Sequence, residues 1–196
     1  MRSPYTTLLT GTAAILLMAL TPGSGNPVTL REGSRVWFDG TSTVRSWNCT
    51  ADKIDAVMQA EAPVSDSILA NRKVAGTVQV DFPIAKLECR NNTMNEHMRK
   101  ALDATRNPAI RFELSGYELV KSTGIGATLQ GTLQMNGQTR PITVPVQFAA
   151  ADGALRVTGS YPLKMTDWGV RPPRLMMGAM KVGESVTVHF DLLLQH

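Results

Sequence analysis

Cys49, Cys89, His97, His189 and His196 are the residues of widest chemical scope in this sequence. Catalysis by a metal or a nucleophile needs such groups in a recognisable set. H-E-x-x-H is absent, and so is a G-x-S-x-G nucleophile elbow. Gly124-Ile-Gly126 is too short for a dinucleotide fingerprint, and no C-x-x-C occurs to support thiol redox chemistry. His97 falls on the apolar side of a helical segment. His189 alternates with Val188 and Phe190 and points outward, and His196 is the terminal residue, expected to lack order. Acidic residues fall on outward phases or in turns, with no carboxylate pair. The sequence therefore reads as a protein that is not an enzyme and has no metal site or cofactor. The cysteine pair reads as a disulfide, with two free thiols or a metal half-site as the alternatives. A bridge of that span stabilises by about 3–4 kcal/mol.

The remaining chemistry is apolar binding. Residues 165–183, M-T-D-W-G-V-R-P-P-R-L-M-M-G-A-M-K-V-G, carry the prolines and glycines of a loop. Loops usually run over the surface. This one holds Met165, Trp168, Leu175, Met176, Met177 and Met180, set among Arg171, Arg174 and Lys181. Two placements are open: a lid over an apolar interior, or a segment packed on the outside or closing an end.

The elements that would surround such an interior are strands. Val74, Gly76, Val78, Val80 and Phe82 alternate with Ala75, Thr77, Gln79 and Asp81. The same period runs through Ala127 to Met135, Ile142 to Phe148, Leu155 to Met165, and Val186 to Leu192. Asn136-Gly137 and Asp152-Gly153 supply tight hairpin turns. A short meander is expected over 35–40, 43–50 and 53–60. Residues 109–120 slip phase at Gly116, which predicts a bulge. Met94, His97, Met98, Ala101 and Leu102 form the apolar stripe of one helix, with Thr93-x-x-Glu96 as a capping box. Roughly nine strands and one helix follow, each strand polar on one face. A closed antiparallel barrel of about eight strands is favoured over a two-sheet sandwich. Small inward residues at Ala56, Gly76, Ala127, Gly131 and Gly159 favour a hollow barrel over a filled one. The alternative is that the glycines relieve crowding where strands coil. By strand phase the lining candidates are Trp47, Phe82, Phe112, Leu133, Met135, Phe148, Tyr161 and Phe190. Met98 joins them from the helix, and Met165, Trp168, Met176 and Met177 from the loop. Of the adjacent Trp37 and Phe38, one faces inward.

Residues 1–25 read as a secretory signal peptide: Arg2, an uncharged apolar run from Leu8 to Leu20, then T-P-G-S-G. The domain is then 26–196, soluble after signal removal and periplasmic or secreted. Its 19 basic and 16 acidic residues are interspersed, leaving a net charge of +3, which argues against nucleic acid as a partner.

The mature region also resembles the YceI-like proteins, secreted lipid- and polyisoprenoid-binding modules of lipocalin-like shape. The resemblance is carried by F-D-G-T-S-T-V-R-S-W-N-C (38–49), V-A-G-T-V-Q-V-D-F-P (74–83) and M-N-E-H-M-R-K-A-L-D-A-T-R-N-P-A-I-R-F-E-L (94–114). It continues through G-T-L-Q-M-N-G-Q-T-R-P-I-T-V-P-V (131–146) and M-T-D-W-G-V (165–170). The chain departs from the common pattern in its cysteine pair and in Trp168. The resemblance implies an all-β, extended antiparallel lipocalin-like barrel with one amphipathic helix beside it. It also implies a bound isoprenoid, quinone-like or other long-chain lipid, favours the periplasm, and leaves transient contact with a membrane surface and a homodimer open. The alternative is a stress-response or interaction module with a filled barrel.

Overall fold

A computed structural model describes residues 25–121, 124–175, 177 and 179–196. Residues 1–24 of the proposed signal peptide and Met176 lie outside them. The strands are β1 (Asn26–Leu30), β2 (Arg35–Ser42), β3 (Ser46–Ala51), β4 (Asp55–Ala60), β5 (Gly76–Pro83) and β6 (Leu87–Glu88). They continue with β7 (Ala109–Lys121), β8 (Ile125–Met135), β9 (Gln138–Ala151), β10 (Ala154–Lys164), β11 (Arg174–Leu175) and β12 (Met180–Gln195). Helix α1 is Val64–Leu69 and helix α2 is Asn92–Ala101.

Every pairing is antiparallel, and the order β1-β4-β5-β7-β8-β9-β10-β12 returns from β12 to β1. That closes an eight-stranded barrel, as the alternating pattern predicts. Above β1 and β4, β2 and β3 extend the wall on β12, and β6 adds to β3. The turn types follow from the residues. Asn136 and Gly137 take φ of 51° and 72°, and Asp152 and Gly153 take 45° and 79°. The ladder between β7 and β8 shifts register between Leu114 and Gly116, the expected bulge.

Three expectations need correction. The structure has two helices. α1 is too short to show a stripe, but it buries Ser67 and Ile68. The cap of α2 is Asn91, whose side-chain oxygen accepts from the Met94 N–H at 2.9 Å, in place of Thr93. His196 is held: its Nε2 accepts from the Val64 N–H at 2.8 Å.

The two ends of the barrel differ. At one end lie the β9–β10 turn, the chain terminus and α1, which packs on β9, β10 and β12. Ile68 is 3% exposed, and the Tyr117 hydroxyl accepts from the Val74 N–H at 2.6 Å and pairs with its carbonyl at 3.0 Å. At the other end lie the β2–β3 and β11–β12 hairpins, the β8–β9 turn and α2. There, α2 is held by the Cys49–Cys89 disulfide and by buried Asn95. Asn95 accepts from the Cys89 N–H at 2.8 Å and donates to Glu88 at 2.8 Å.

Candidate lipid-binding site

The inner wall alternates large and absent side chains in a specific way. A Cβ at Gly159 would meet the Phe190 ring at 2.4 Å, one at Gly131 the Phe112 ring at 2.7 Å, and one at Gly40 the Trp47 ring at 2.4 Å. Each glycine thus lies beneath an aromatic ring from the neighbouring strand. The inward glycines do not make the hollow by themselves. They let large rings lie flat on the wall, so that the open volume sits at the barrel centre.

That volume is a cavity of about 570 Å³, inside the range of small-ligand pockets. Of the expected lining residues, Trp47, Phe82, Met98, Phe112, Leu133, Met135, Tyr161, Met165 and Phe190 border it. Phe38 faces it too, while Trp37 lies outside, stacked on His189 with centroids 5.3 Å apart. Helix α2 contributes its whole predicted stripe: Met94, His97, Met98, Ala101 and Leu102 all border the cavity. The disulfide lies in the wall, with Cys89 Sγ 3.9 Å from Met98 Sδ.

Three expected residues sit elsewhere. Phe148 borders a second cavity of about 140 Å³, beside α1. Met58, Val78, Phe112 and Leu129 border both cavities and form the partition between them. Trp168 is a fixed part of the wall: it is 3% exposed, and its indole N–H donates to the Leu133 carbonyl at 3.1 Å. The Asn136 side chain also donates to the Trp168 carbonyl at 3.1 Å. Met177 points into solvent, fully exposed. Met176 lies outside the described residues. The loop of 165–183 is therefore divided: Trp168 and Val170 are buried, Met165, Pro173 and Met180 border the cavity, and Met177 stands clear of it.

Polar side chains around the cavity are few and not evenly spread. Ser42 and Arg45 flank the β2–β3 turn, Asn91 caps α2, and Thr93 and His97 lie in its first and second turns. Arg45, Asn91 and Thr93 are exposed, so the cavity reaches the surface here, between α2 and the β2–β3 hairpin. Tyr161 is the polar group of the inner wall, and burial pushes its phenol pKa up, with the Asp167 carboxylate adding to the effect. Arg45, Asn91, Thr93 and Pro173 were not readable as site residues, because turn and cap positions carry no inward or outward phase. Among the described residues no group of histidines, cysteines or carboxylates is arranged to hold a metal ion. An aliphatic chain can fill such a cavity with a polar head left at the rim; a sugar or nucleotide would leave its polar groups unpaired there.

The YceI-like domain family matches residues 30–194. A UPF0312 protein of Pseudomonas aeruginosa is 28% identical over 105 residues, covering 50% of this chain and 53% of that protein. The chain thus aligns with about half the length of the curated relatives it matches. Among solved structures, Burkholderia cenocepacia BcnA superposes with a TM-score of 0.65 at 19% identity, covering 83% of this chain and 96% of that one. A polyisoprenoid binding domain from Saccharophagus degradans gives 0.63 at 13% identity, covering 86% and 97%. At these identities the structural likeness establishes a shared fold.

Proposed function

We propose that this chain, which belongs to the YceI-like domain family, is a non-catalytic carrier that holds an isoprenoid, quinone-like or other long-chain lipid inside its barrel. The observation that carries this reading is the cavity of about 570 Å³, apolar along its length and polar at one rim. The polyisoprenoid-binding name of the Saccharophagus degradans neighbour supports the same ligand class. Binding is non-covalent. Each buried methylene contributes about 0.8 kcal/mol, so affinity rises with chain length until the cavity is full. Tyr161 and the rim residues Arg45 and His97 orient the head. The carrier works outside the cytosol, in the periplasm, a reading supported by the leader-like residues 1–25 and by a disulfide that an oxidising compartment sustains. It holds for one chain or for a homodimer.

Native mass spectrometry of the protein isolated from its own compartment, followed by solvent extraction, tests this reading. A stoichiometric apolar mass is expected, and Val80→Trp, which places an indole inside the cavity, should abolish it while leaving the fold intact. A bare protein mass, with no uptake of added quinone or polyprenol, would overturn the carrier and leave a filled-barrel interaction module.

A further inference from the structure

Charge divides between the barrel's ends. Around the cavity mouth, Arg45, Arg90, Arg171, Arg174 and Lys181 are exposed and form no ion pair among the described residues. Asp52, Glu96 and Asp167 are exposed acidic residues in the segments that flank them in sequence, and Glu184 is paired with Lys164 at 3.7 Å. At the opposite end Glu32, Glu61 and Asp66 are exposed. The bases Arg31 and Lys73 there are paired with Asp152 and Glu118, which leaves Arg72 unpaired among the side chains described at this end. A modest net charge thus becomes a basic mouth and an acidic base.

Two further observations sharpen the mouth. Arg174 and Lys181 are direct partners in the β11–β12 ladder. Like charges placed opposite each other destabilise a strand pair, and an anion between them relieves that repulsion. Among the described residues four large apolar side chains are exposed, Val44, Val57, Val120 and Met177, and two of them stand at this end. Val44 occupies the β2–β3 turn and Met177 the β11–β12 tip. Those hairpins are tied together: the Thr43 N–H donates to the Lys181 carbonyl at 3.0 Å, and the Lys181 N–H donates to Thr43 Oγ1 at 3.2 Å. Apolar tips ringed by unpaired cations, beside the mouth of an apolar cavity, match the layering of an anionic bilayer surface: charged heads outside, chains beneath.

We infer that this mouth is a membrane-docking face whose partner is an anionic phospholipid surface, with Val44 and Met177 entering the headgroup layer and the basic ring contacting the lipid heads. The inference rests on the carrier reading for its purpose, since docking there brings the cavity mouth to the layer from which a lipid chain is taken or returned. The attraction is electrostatic at exposed sites, so salt screens it: the Debye length falls from about 10 Å at 0.1 M to about 3 Å at 1 M.

Flotation of the full protein with vesicles of phosphatidylcholine, with and without a third of phosphatidylglycerol, tests it. Binding is expected to the anionic vesicles alone and to fade in high salt. Arg174→Gln with Lys181→Gln should weaken it about 25-fold, five-fold per charge removed near an anionic leaflet. Met177→Ser should weaken it several-fold, and Arg72→Gln at the opposite end should leave it unchanged. Equal binding to both vesicle types, no binding to either, or an equal loss from Arg72→Gln would overturn the inference. Uptake of a fluorescent polyprenol in vesicle-free solution, measured on the same variants, separates the two ideas. Retained uptake with lost flotation assigns the defect to docking. Flotation by a protein that takes up no polyprenol leaves the docking face standing and removes the carrier.

Discussion

The two ends of this barrel solve one problem in opposite ways. Both must cover the open end of a closed sheet, and each uses a helix. Helix α1 fills: Ile68 is buried at 3%, Val64 packs beside it, and the adjoining cavity is about 140 Å³. Helix α2 covers without filling: its stripe from Met94 to Leu102 looks into about 570 Å³. A filled end is held by its own packing. A covered end gains less from packing and needs another fastening, which the disulfide and the Glu88–Asn95–Cys89 clasp provide. The difference teaches that packing and open volume are divided along the barrel axis, with void tolerated where a covalent tie compensates for it.

The largest test of that division is removal of the tie. The disulfide closes a separation of 40 residues, for which loop-closure entropy gives about 4 kcal/mol. Cys49→Ser with Cys89→Ser should therefore lower the thermal midpoint by many degrees. The local prediction is sharper: hydrogen exchange should rise over 88–102 while α1 keeps its protection, and bound lipid should be lost. Uniform loss of protection at both ends would break the comparison.

A matched pair of truncations comes next. Ile68→Ala removes a side chain that is 3% exposed and borders only the smaller cavity, and should destabilise by about 2–5 kcal/mol. Met98→Ala, at the covered end, removes a side chain with void already on one face, so fewer contacts are lost. Its effect should be smaller by about 2 kcal/mol in urea unfolding of the lipid-free protein. Equal effects would mean that the cavity is closed in solution. Adding lipid should restore the difference in ligand retention, because Met98 borders the cavity and Ile68 borders the smaller one.

Much of this arrangement was legible in the sequence. Period-two alternation placed β5, β8, β9, β10 and β12, and the phase slip at Gly116 gave the bulge. The helical stripe named Met94, His97, Met98 and Ala101 of α2 and its C-cap Leu102, all of which border the cavity, and missed Thr93. What was lost has a common cause: short elements carry too few residues to show a period. β1, β6, β11 and α1 are all six residues or fewer. The sequence assigns Trp168 to the cavity lining and Val170 to no role, because a loop has no phase to show which side chains it buries. Their burial depends on where the β8–β9 turn falls, which the indole bond to the Leu133 carbonyl records. The division of charge between the ends was also hidden, since it appears only when Arg45 and Lys181, far apart in sequence, are brought together by the register of β2 with β12.

The smallest predicted effect concerns the wall that joins the two ends. Asp191 lies on the outer face of β12, 8% exposed, between Arg156 on β10 and Arg35 on β2. Arg156 donates two bonds to it, at 2.8 and 2.7 Å, and Arg35 one at 3.2 Å. The Arg156 hydrogen bond holds the Asp191 carboxyl below its ordinary value of 3.8, with Arg35 acting in the same sense against the opposing effect of burial. A carboxyl depressed on folding contributes stability that is fully present above the unfolded pKa. That stability is lost as pH falls from 3.8 through the lower folded value. Both arginines reach water, so losing the carboxylate leaves no cation stranded in a dry interior. Asp191→Asn should thus destabilise by about 1.5 kcal/mol at neutral pH, the low end for a hydrogen bond to a charged group. The difference between variant and parent should shrink as the pH falls below 3.8. Asp191 ties the wall and covers neither end. Its loss should therefore lower the midpoint without changing the contrast in hydrogen exchange between α1 and α2, and a selective loosening of α2 would show that the outer wall also carries the fastening of the covered end.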